Sequence, residues 1–500
     1  LYSYAYSIYA VFLNLSTVGI PSAIAKIISE YDTLSYKYLK EEAYKIANKM
    51  LSGIGFLSFL IMFFASDTIA NYIIGGVSGG NSVEAVSIAI KTVSLALLIV
   101  PKLSILKGYF QGNRYLKEGS ISAIIEQLVR VLVIVIGSFV TVKVLKLSVE
   151  CAVYVAVLGA SIGALVSYFY LKKKAKPVFI ENKVETISED EKKISKKDII
   201  IKIIVYAIPF VIMSMLTSAY NVVDTFTVVK TLTRLGYSTS VAETTIGVIS
   251  TWGSKLNMIV VSISIGITSS LIPNVVGSYT KGNYKDINEK LNITFKMLLY
   301  LAIPMAFGMS ILSKPIWHVF YGIDILSTDI FRIYILQVVV YGLFTTITTI
   351  TQSMNQTKIT IGALVGSFLL KLILNVPIMN LLKVINIPSF YGPIVTDMIS
   401  VGLSLIGTLL VLKKNFKFSY REIIYFLSKV LLGLIAMVTI LLLLKEIYFD
   451  YSTKLLSILT IVIYTLVGAL VYFFVTSRFK LLQSILGDDY IKKIKSKFRR

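Results

Sequence analysis

Thirteen apolar runs, each long enough for the roughly 20 residues a helix needs to cross a bilayer, constrain this chain more than any other feature. They fall near 3–28, 46–73, 85–107, 120–142, 149–171, 201–229, 245–272, 292–319, 328–354, 359–381, 391–412, 423–445 and 453–476. The first is rich in Tyr and Ser, and the run at 328–354 in Thr. In hydrocarbon every backbone N–H and C=O must be satisfied within the protein, so runs of this length imply helices. The expected fold is therefore an all-α polytopic membrane protein. Composition agrees: 56% of the 500 residues are hydrophobic and 15% charged, against about 25% charged in soluble domains.

The formal net charge is +23, which on its own would suit nucleic acid. Its distribution points elsewhere. The connections at 29–45, 107–119, 172–202, 279–291, 355–359, 413–422 and 477–500 hold 32 Lys and Arg, and the alternate set holds 5. The positive-inside rule places the basic set in the cytoplasm, with Leu1 outside and Arg500 inside.

An internal repeat organises the spans. Shifted by 247 residues, Gly19-Ile20 and Ser22 fall on Gly266-Ile267 and Ser269, and Lys49-Met50-Leu51 on Lys296-Met297-Leu298. Met62, Ser66, Ile69 and Gly75 fall on Met309, Ser313, Ile316 and Gly322. After a loss of six residues a shift of 241 carries Gln111, Lys117 and Leu128 onto Gln352, Lys358 and Leu369. The expected plan is an N-terminal lobe at 1–171, a cytoplasmic linker at 172–200, a C-terminal lobe at 201–412, an extra helix pair at 413–476 and a basic tail at 477–500. The helix at 201–229 has no mate before Leu1, so one leading helix is expected to be missing, fourteen in all. Parallel repeats are a transporter architecture, with the substrate site expected between the halves.

Enzyme chemistry finds little support. One Cys (Cys151) and one His (His318) exclude disulfide frameworks and Cys/His zinc sites. No GxxxxGK[ST] or HExxH pattern occurs and no GxSxG constellation stands out, so no ATP, metal or other cofactor is expected. A lipid-modifying transferase would need paired buried carboxylates, which the sequence does not cluster.

Ionisable residues inside spans are the informative ones, because each costs about 2.5–3.5 kcal/mol to insert unless paired or facing water. Arg130 and Lys371 lie near mid-span and are repeat mates; two such cations suit an anionic substrate. Arg130 could instead pair with Glu126 at i,i+4, whereas Lys371 has no acid at helical spacing. Lys255, near mid-span with Asn257 close by, is expected to face a cavity. Lys26 either faces the same cavity or snorkels to the interface. Asp224, with Asn221 one turn away, is a candidate for a coupling ion, as is Glu126, or a partner for a Lys. Asn14 either binds substrate or bonds a neighbouring helix. The tail Tyr490–Arg500 has an apolar face and a basic one, as a helix lying on anionic lipid would.

The segments Gly19-Ile-Pro-Ser-Ala-Ile-Ala-Lys-Ile-Ile-Ser-Glu30, Lys107-Gly-Tyr-Phe-Gln-Gly112, Ile125-Glu-Gln-Leu-Val-Arg-Val131 and Ser270-Leu-Ile-Pro-Asn274 resemble the polysaccharide-biosynthesis branch of the MOP exporter superfamily. Within it the chain is most similar to the SpoVB/YtgP group, Gram-positive relatives of the lipid II flippase MurJ. The resemblance implies a fourteen-helix flippase with a cationic central cavity, moving an undecaprenyl-pyrophosphate-linked sugar by alternating access across a bacterial plasma membrane. It implies cavity positions at Asn14, Lys26, Asn221, Asp224 and Lys255, and a groove for the polyprenyl tail along 423–445 and 453–476. Without an ATP site, membrane potential, Na+ or H+ would bias the cycle, and the protein would act as a monomer. The related MATE-type multidrug exporters are the alternative; they carry cations and favour acidic cavities.

Overall fold

The computed structural model describes residues 1–17, 19–75, 81–181, 191 and 193–486. The tail Tyr490–Arg500 lies outside them. Every regular element among the described residues is helical, and thirteen stretches are long and apolar enough to span a membrane, coinciding one for one with the thirteen runs. This is an all-α multi-pass membrane protein. Contacts divide it into two compact units, Leu1–Lys230 and Thr231–Arg500.

The first unit contains α1 (Tyr2–Thr17), α2 (Gly19–Thr33), α3 (Lys37–Phe64), α4 (Ser66–Ile74), α5 (Val83–Ser94), α6 (Val100–Gly112), α7 (Leu116–Leu132), α8 (Val149–Glu181) and most of α9 (Lys196–Arg234). The repeat groups α9 with the second half, whereas its contacts group it with the first: Ile199, Ile203 and Ala207 pack into the core formed by Ile24, Ile27 and Leu39. The described residues at the end of the linker bond to this unit and to the start of α9. A capping box opens α9, with Ser195 N–H donating to Asp198 and Asp198 N–H donating back to the Ser195 hydroxyl. Glu191, buried, accepts the N–H groups of Tyr38 and Leu39 at the start of α3, at 3.0 and 3.5 Å.

The second unit contains α10 (Thr239–Gly247), α11 (Gly253–Thr280), α12 (Tyr284–Ile311), α13 (Ser313–Tyr321), α14 (Ile325–Tyr334), α15 (Val338–Ser353), α16 (Thr357–Val384), α17 (Gly392–Phe416), α18 (Arg421–Ile447), α19 (Lys454–Arg478) and α20 (Leu481–Leu486).

The repeat is written into the backbone. The runs at 46–73 and 292–319 are each broken, at Ala65 and at its mate Leu312, where ψ rises to 0° and 14°. Hydropathy does not sense such a break, because both sides of it are apolar. The helices α2 and α11 end alike: Ser35 and its mate Gly282 adopt φ of 60° and 67°. The N–H of the next residue then reaches back five positions, Tyr36 to Tyr31 O at 2.8 Å and Asn283 to Ser278 O at 2.9 Å. The same closure ends α6 and α15, where Arg114 and Asn355 carry the positive φ and Tyr115 N and Gln356 N bond Phe110 O and Thr351 O. Close approach explains one motif: a Cβ at Gly108 or Gly112 of α6 would fall within 3 Å of the α2 backbone at Pro21 and Ala25, a small-xxx-small contact of the kind that packs helices in lipid.

The extra pair, α18 and α19, is fastened by one stripe of α12 with four-residue spacing. Asn288 Oδ1 accepts from Ser419 N–H at 3.1 Å and Asn292 Nδ2 donates to Ser419 O at 3.0 Å. Lys296 pairs with Glu422 at 2.7 Å, and the Tyr300 hydroxyl bonds Thr476 Oγ1 at 3.0 Å.

Candidate functional site

Arg130 sits near the end of α7, half-buried. It donates to the Tyr2 hydroxyl at 3.4 Å, and its guanidinium lies 5.3 Å from the centre of the Tyr6 ring. Both tyrosines belong to α1, one turn apart and stacked at 5.5 Å, which gives the Tyr-rich first run a purpose. The i,i+4 pair with Glu126 does not form. Glu126 instead accepts a 2.6 Å bond from Lys107 of α6. Arg130 has no carboxylate partner among the described residues. Helix α8 approaches α7 closely at this level: a Cβ at Gly163 would stand 2.6 Å from Glu126 O.

Asn14 of α1 donates to Ser218 Oγ of α9 at 2.5 Å, the helix-to-helix alternative of the two expected. Asn221 lies one turn further along α9 and is exposed; Asp224, another turn on, is 3% exposed. Lys26 is exposed and rests 4.2 Å from the centre of the Tyr206 ring. One turn earlier on α9, Lys202 bonds Glu30 at 2.7 Å.

In the second unit, Lys371 is 1% exposed and donates to Asp397 of α17 at 2.5 Å. This corrects its expected role as a cation open to substrate. Its acid comes from the next helix, 26 residues away, where helical spacing could not reveal it. Lys255 of α11 is exposed and, among the described residues, forms no hydrogen bond or ion pair. Asn257 points the other way, since two residues on a helix are about 200° apart; it is buried, and its Oδ1 lacks a partner. Lys255 and Lys26 are thus the expected cations left exposed, and Arg130 is half-buried among tyrosines.

Outside the spans, Asp67 at the start of α4 accepts from Ser87 Oγ at 2.5 Å and Lys91 Nζ at 2.9 Å. These bonds hold its carboxyl below the usual range. His318 is buried and shares a 2.9 Å bond with Ser457 Oγ of α19.

One feature had no signal in hydropathy. A cavity of about 330 Å³ lies where α12 and α13 meet α18 and α19, lined by Tyr300, Pro304, Gly308, Leu312, Gly468 and Tyr472 among others. It needs surfaces from four helices, and hydropathy treats each as merely apolar.

Comparison with known proteins gives a consistent result. Residues 1–278 match the family model described as polysaccharide biosynthesis protein, and residues 209–376 match the MatE model. The chain is 29% identical to the lipid II flippase MurJ of Bacillus subtilis (strain 168) over 504 residues, 97% of this chain and 90% of that protein. It is 26% identical over 321 residues to the membrane protein YabM of the same organism, covering 63% of this chain and 56% of YabM. Among solved structures it is similar to a lipid II flippase MurJ in an inward closed conformation, with TM-score 0.64, 15% identity, and 96% and 98% of the two chains covered. A multidrug resistance MATE family transporter of the MOP superfamily gives TM-score 0.66 at 10% identity, over 83% and 89% of the chains. At these identities the solved structures speak for the fold.

Proposed function

We propose that this chain, which belongs to the polysaccharide biosynthesis protein family of the MOP superfamily, is a flippase for an undecaprenyl-pyrophosphate-linked sugar, lipid II before others. It would carry this lipid from the inner to the outer leaflet of a bacterial cell membrane, with its C-terminus in the cytoplasm. The observation that carries the proposal is the end-to-end likeness to a lipid II flippase. Transport makes and breaks no covalent bond, so the protein is a transporter and not an enzyme.

The residues supply what such a substrate asks for. A pyrophosphate needs cations with donors free to turn toward it. Lys255 and Lys26 are exposed, and Arg130 keeps a positive charge that no described carboxylate neutralises. Lys371 takes no part, because Asp397 already occupies it. Asn221, exposed on α9, would hydrogen-bond the sugar or phosphate oxygens, whereas Asn14 is held by Ser218. The polyprenyl tail would rest in the cavity beneath α18 and α19, whose lining is almost wholly apolar. Exposure of the head group to one side and then the other follows only if the two states bind it differently. Membrane potential acts on a positive site with about 2.3 kcal/mol per charge per 100 mV, and Asp224 is the candidate for Na+ or H+ coupling. The protein would work as a monomer.

A MATE-type exporter is the second possibility, favoured by the MatE match at residues 209–376. Depletion of the protein in its host separates the two. Outer-leaflet lipid II, measured with a reagent that cannot cross the membrane, should fall while precursor accumulates inside. Unchanged lipid II together with raised sensitivity to cationic drugs would turn the assignment to drug export. Lys255→Ala should abolish rescue of depleted cells at normal membrane levels; full rescue removes Lys255 from the mechanism.

A further inference from the structure

The α12 stripe that fastens the extra pair changes character part way along. Asn288, Asn292 and Lys296 are polar, and their successors at the same spacing, Pro304, Gly308 and Leu312, line the cavity. Tyr300 stands at the change. Twelve residues separate Tyr300 from Leu312 on one wall, and twelve separate Ile461 from Phe473 on the other, so the cavity runs for roughly 18 Å. At about 330 Å³ it is a slot, long and narrow. At its Tyr300 end stand aromatic side chains of α12 and α19. The Tyr300 ring packs 5.2 Å from Tyr472 and 6.1 Å from Phe473. Tyr472 Oη donates to Tyr300 O at 3.0 Å, and the Tyr300 hydroxyl is held by Thr476. Both tyrosines are 3% exposed, and behind them lies the Lys296–Glu422 pair.

We infer that Tyr300 and Tyr472 are positioning residues that stop the end of the substrate's polyprenyl chain and fix how deeply it enters the slot. The inference rests on the flippase proposal. An apolar chain gains little by leaving one hydrocarbon environment for another, so selection must come from shape. The slot is elongated, and Met305, Met309 and Met437 in its walls adapt to irregular surfaces, as a methyl-branched chain presents. A chain reaching Tyr300 meets two aromatic rings and, one turn beyond them, the buried charge of Lys296. The hydroxyl bonds hold the rings in place; the rings themselves form the stop.

Photolabelling of the full-length purified protein tests this, using farnesyl phosphate with a diazirine on its terminal isoprene unit. The label should fall on Tyr300, Tyr472 or Phe473. In Tyr300→Ala it should move at least one turn toward Lys296, and in Tyr300→Phe it should stay. Gly308→Leu keeps the result interpretable if Tyr300→Ala folds poorly: a Cβ at Gly308 meets no atom within 4 Å, so this variant fills the slot and should lose the label while its melting temperature holds. Labelling confined to lipid-facing residues such as Leu466 and Leu470 overturns the inference, as does labelling that survives Gly308→Leu. Equal labelling of Tyr300 by a phospholipid with a diazirine at its acyl terminus overturns it too, by making the slot a general lipid site. These results do not depend on lipid II flipping, which the depletion experiment tests separately.

Discussion

Arg130 and Lys371 occupy the same place in the two repeats, and the protein has given them opposite fates. In the second unit the position facing Lys371 holds Asp397, whose mate in the first half is Ala156. In the first unit Arg130 faces Tyr2 and Tyr6, whose mates are Ile249 and Gly253. One cation is therefore paired with an acid and buried, while the other keeps its charge in an aromatic setting. Duplication supplied two equivalent positions, and both the cation and its neighbours on adjoining helices now differ between them. A buried pair is expensive to break but cheap to replace as a whole; a cation on tyrosines is the reverse, cheap for the fold and costly for anion binding.

The comparison breaks most directly at the pair. Asp397→Ala or Lys371→Ala should destabilise by about 3–5 kcal/mol, because the remaining partner is left buried and charged, while Lys371→Met with Asp397→Leu should recover most of that loss. Arg130→Met should cost no more than about 1 kcal/mol, the scale of a cation–π contact, yet impair transport. Thermal unfolding in detergent beside a transport assay decides it; equal destabilisation at both sites would end the distinction. The helix contacts beside the two cations differ as well. Gly163→Leu forces a side chain against the α7 backbone and should cost about 1–3 kcal/mol, whereas Ser404→Ala at the repeat mate should stay within about 0.5 kcal/mol. A finer contrast lies at the turns, where Ser35 and Gly282 share a positive φ. Ser35→Gly should stabilise and Gly282→Ala destabilise by about 1 kcal/mol each, since a Cβ is disfavoured in that conformation. Nothing lies within 4 Å of a Cβ at Gly282, so a larger loss there would need another cause.

The smallest expected effect concerns pH. Asp67 titrates below the usual carboxylate range because Ser87 and Lys91 donate to it; its mate Lys314 cannot. The bonds to Asp67 therefore stabilise the protein fully above the ordinary carboxylate pKa and are lost as pH falls through the depressed one. Melting curves of wild type and Asp67→Asn should differ at neutral pH and converge in acid. Curves that stay parallel would show the bonds to be energetically idle.

The spans and the repeat were legible because they rest on length, hydropathy and identity in register, properties each segment carries alone. Arg130, Lys371 and Lys26 were legible as charges in apolar runs, and Lys255 as a cation without an acid at helical spacing. Their partners were not. Tyr2 and Asp397 meet their cations, and Lys107 meets Glu126, across helix interfaces, and only packing decides which neighbour is near. Glu126 shows the limit plainly: it sits at i,i+4 from Arg130, yet the chain sends it to Lys107. The cavity under the extra pair was invisible for the same reason, because an empty space belongs to no residue.

The Lys296–Glu422 pair also sets an order of events during synthesis. Lys296 is buried, and its acid lies 126 residues later in the chain. At roughly 5–20 residues per second, the ribosome delivers Glu422 on the order of ten seconds after Lys296 has emerged. Until then the second unit carries an unanswered charge on a helix already committed to the membrane, so a chain cut short before α18 should be marked for quality control even though all its earlier spans are in place.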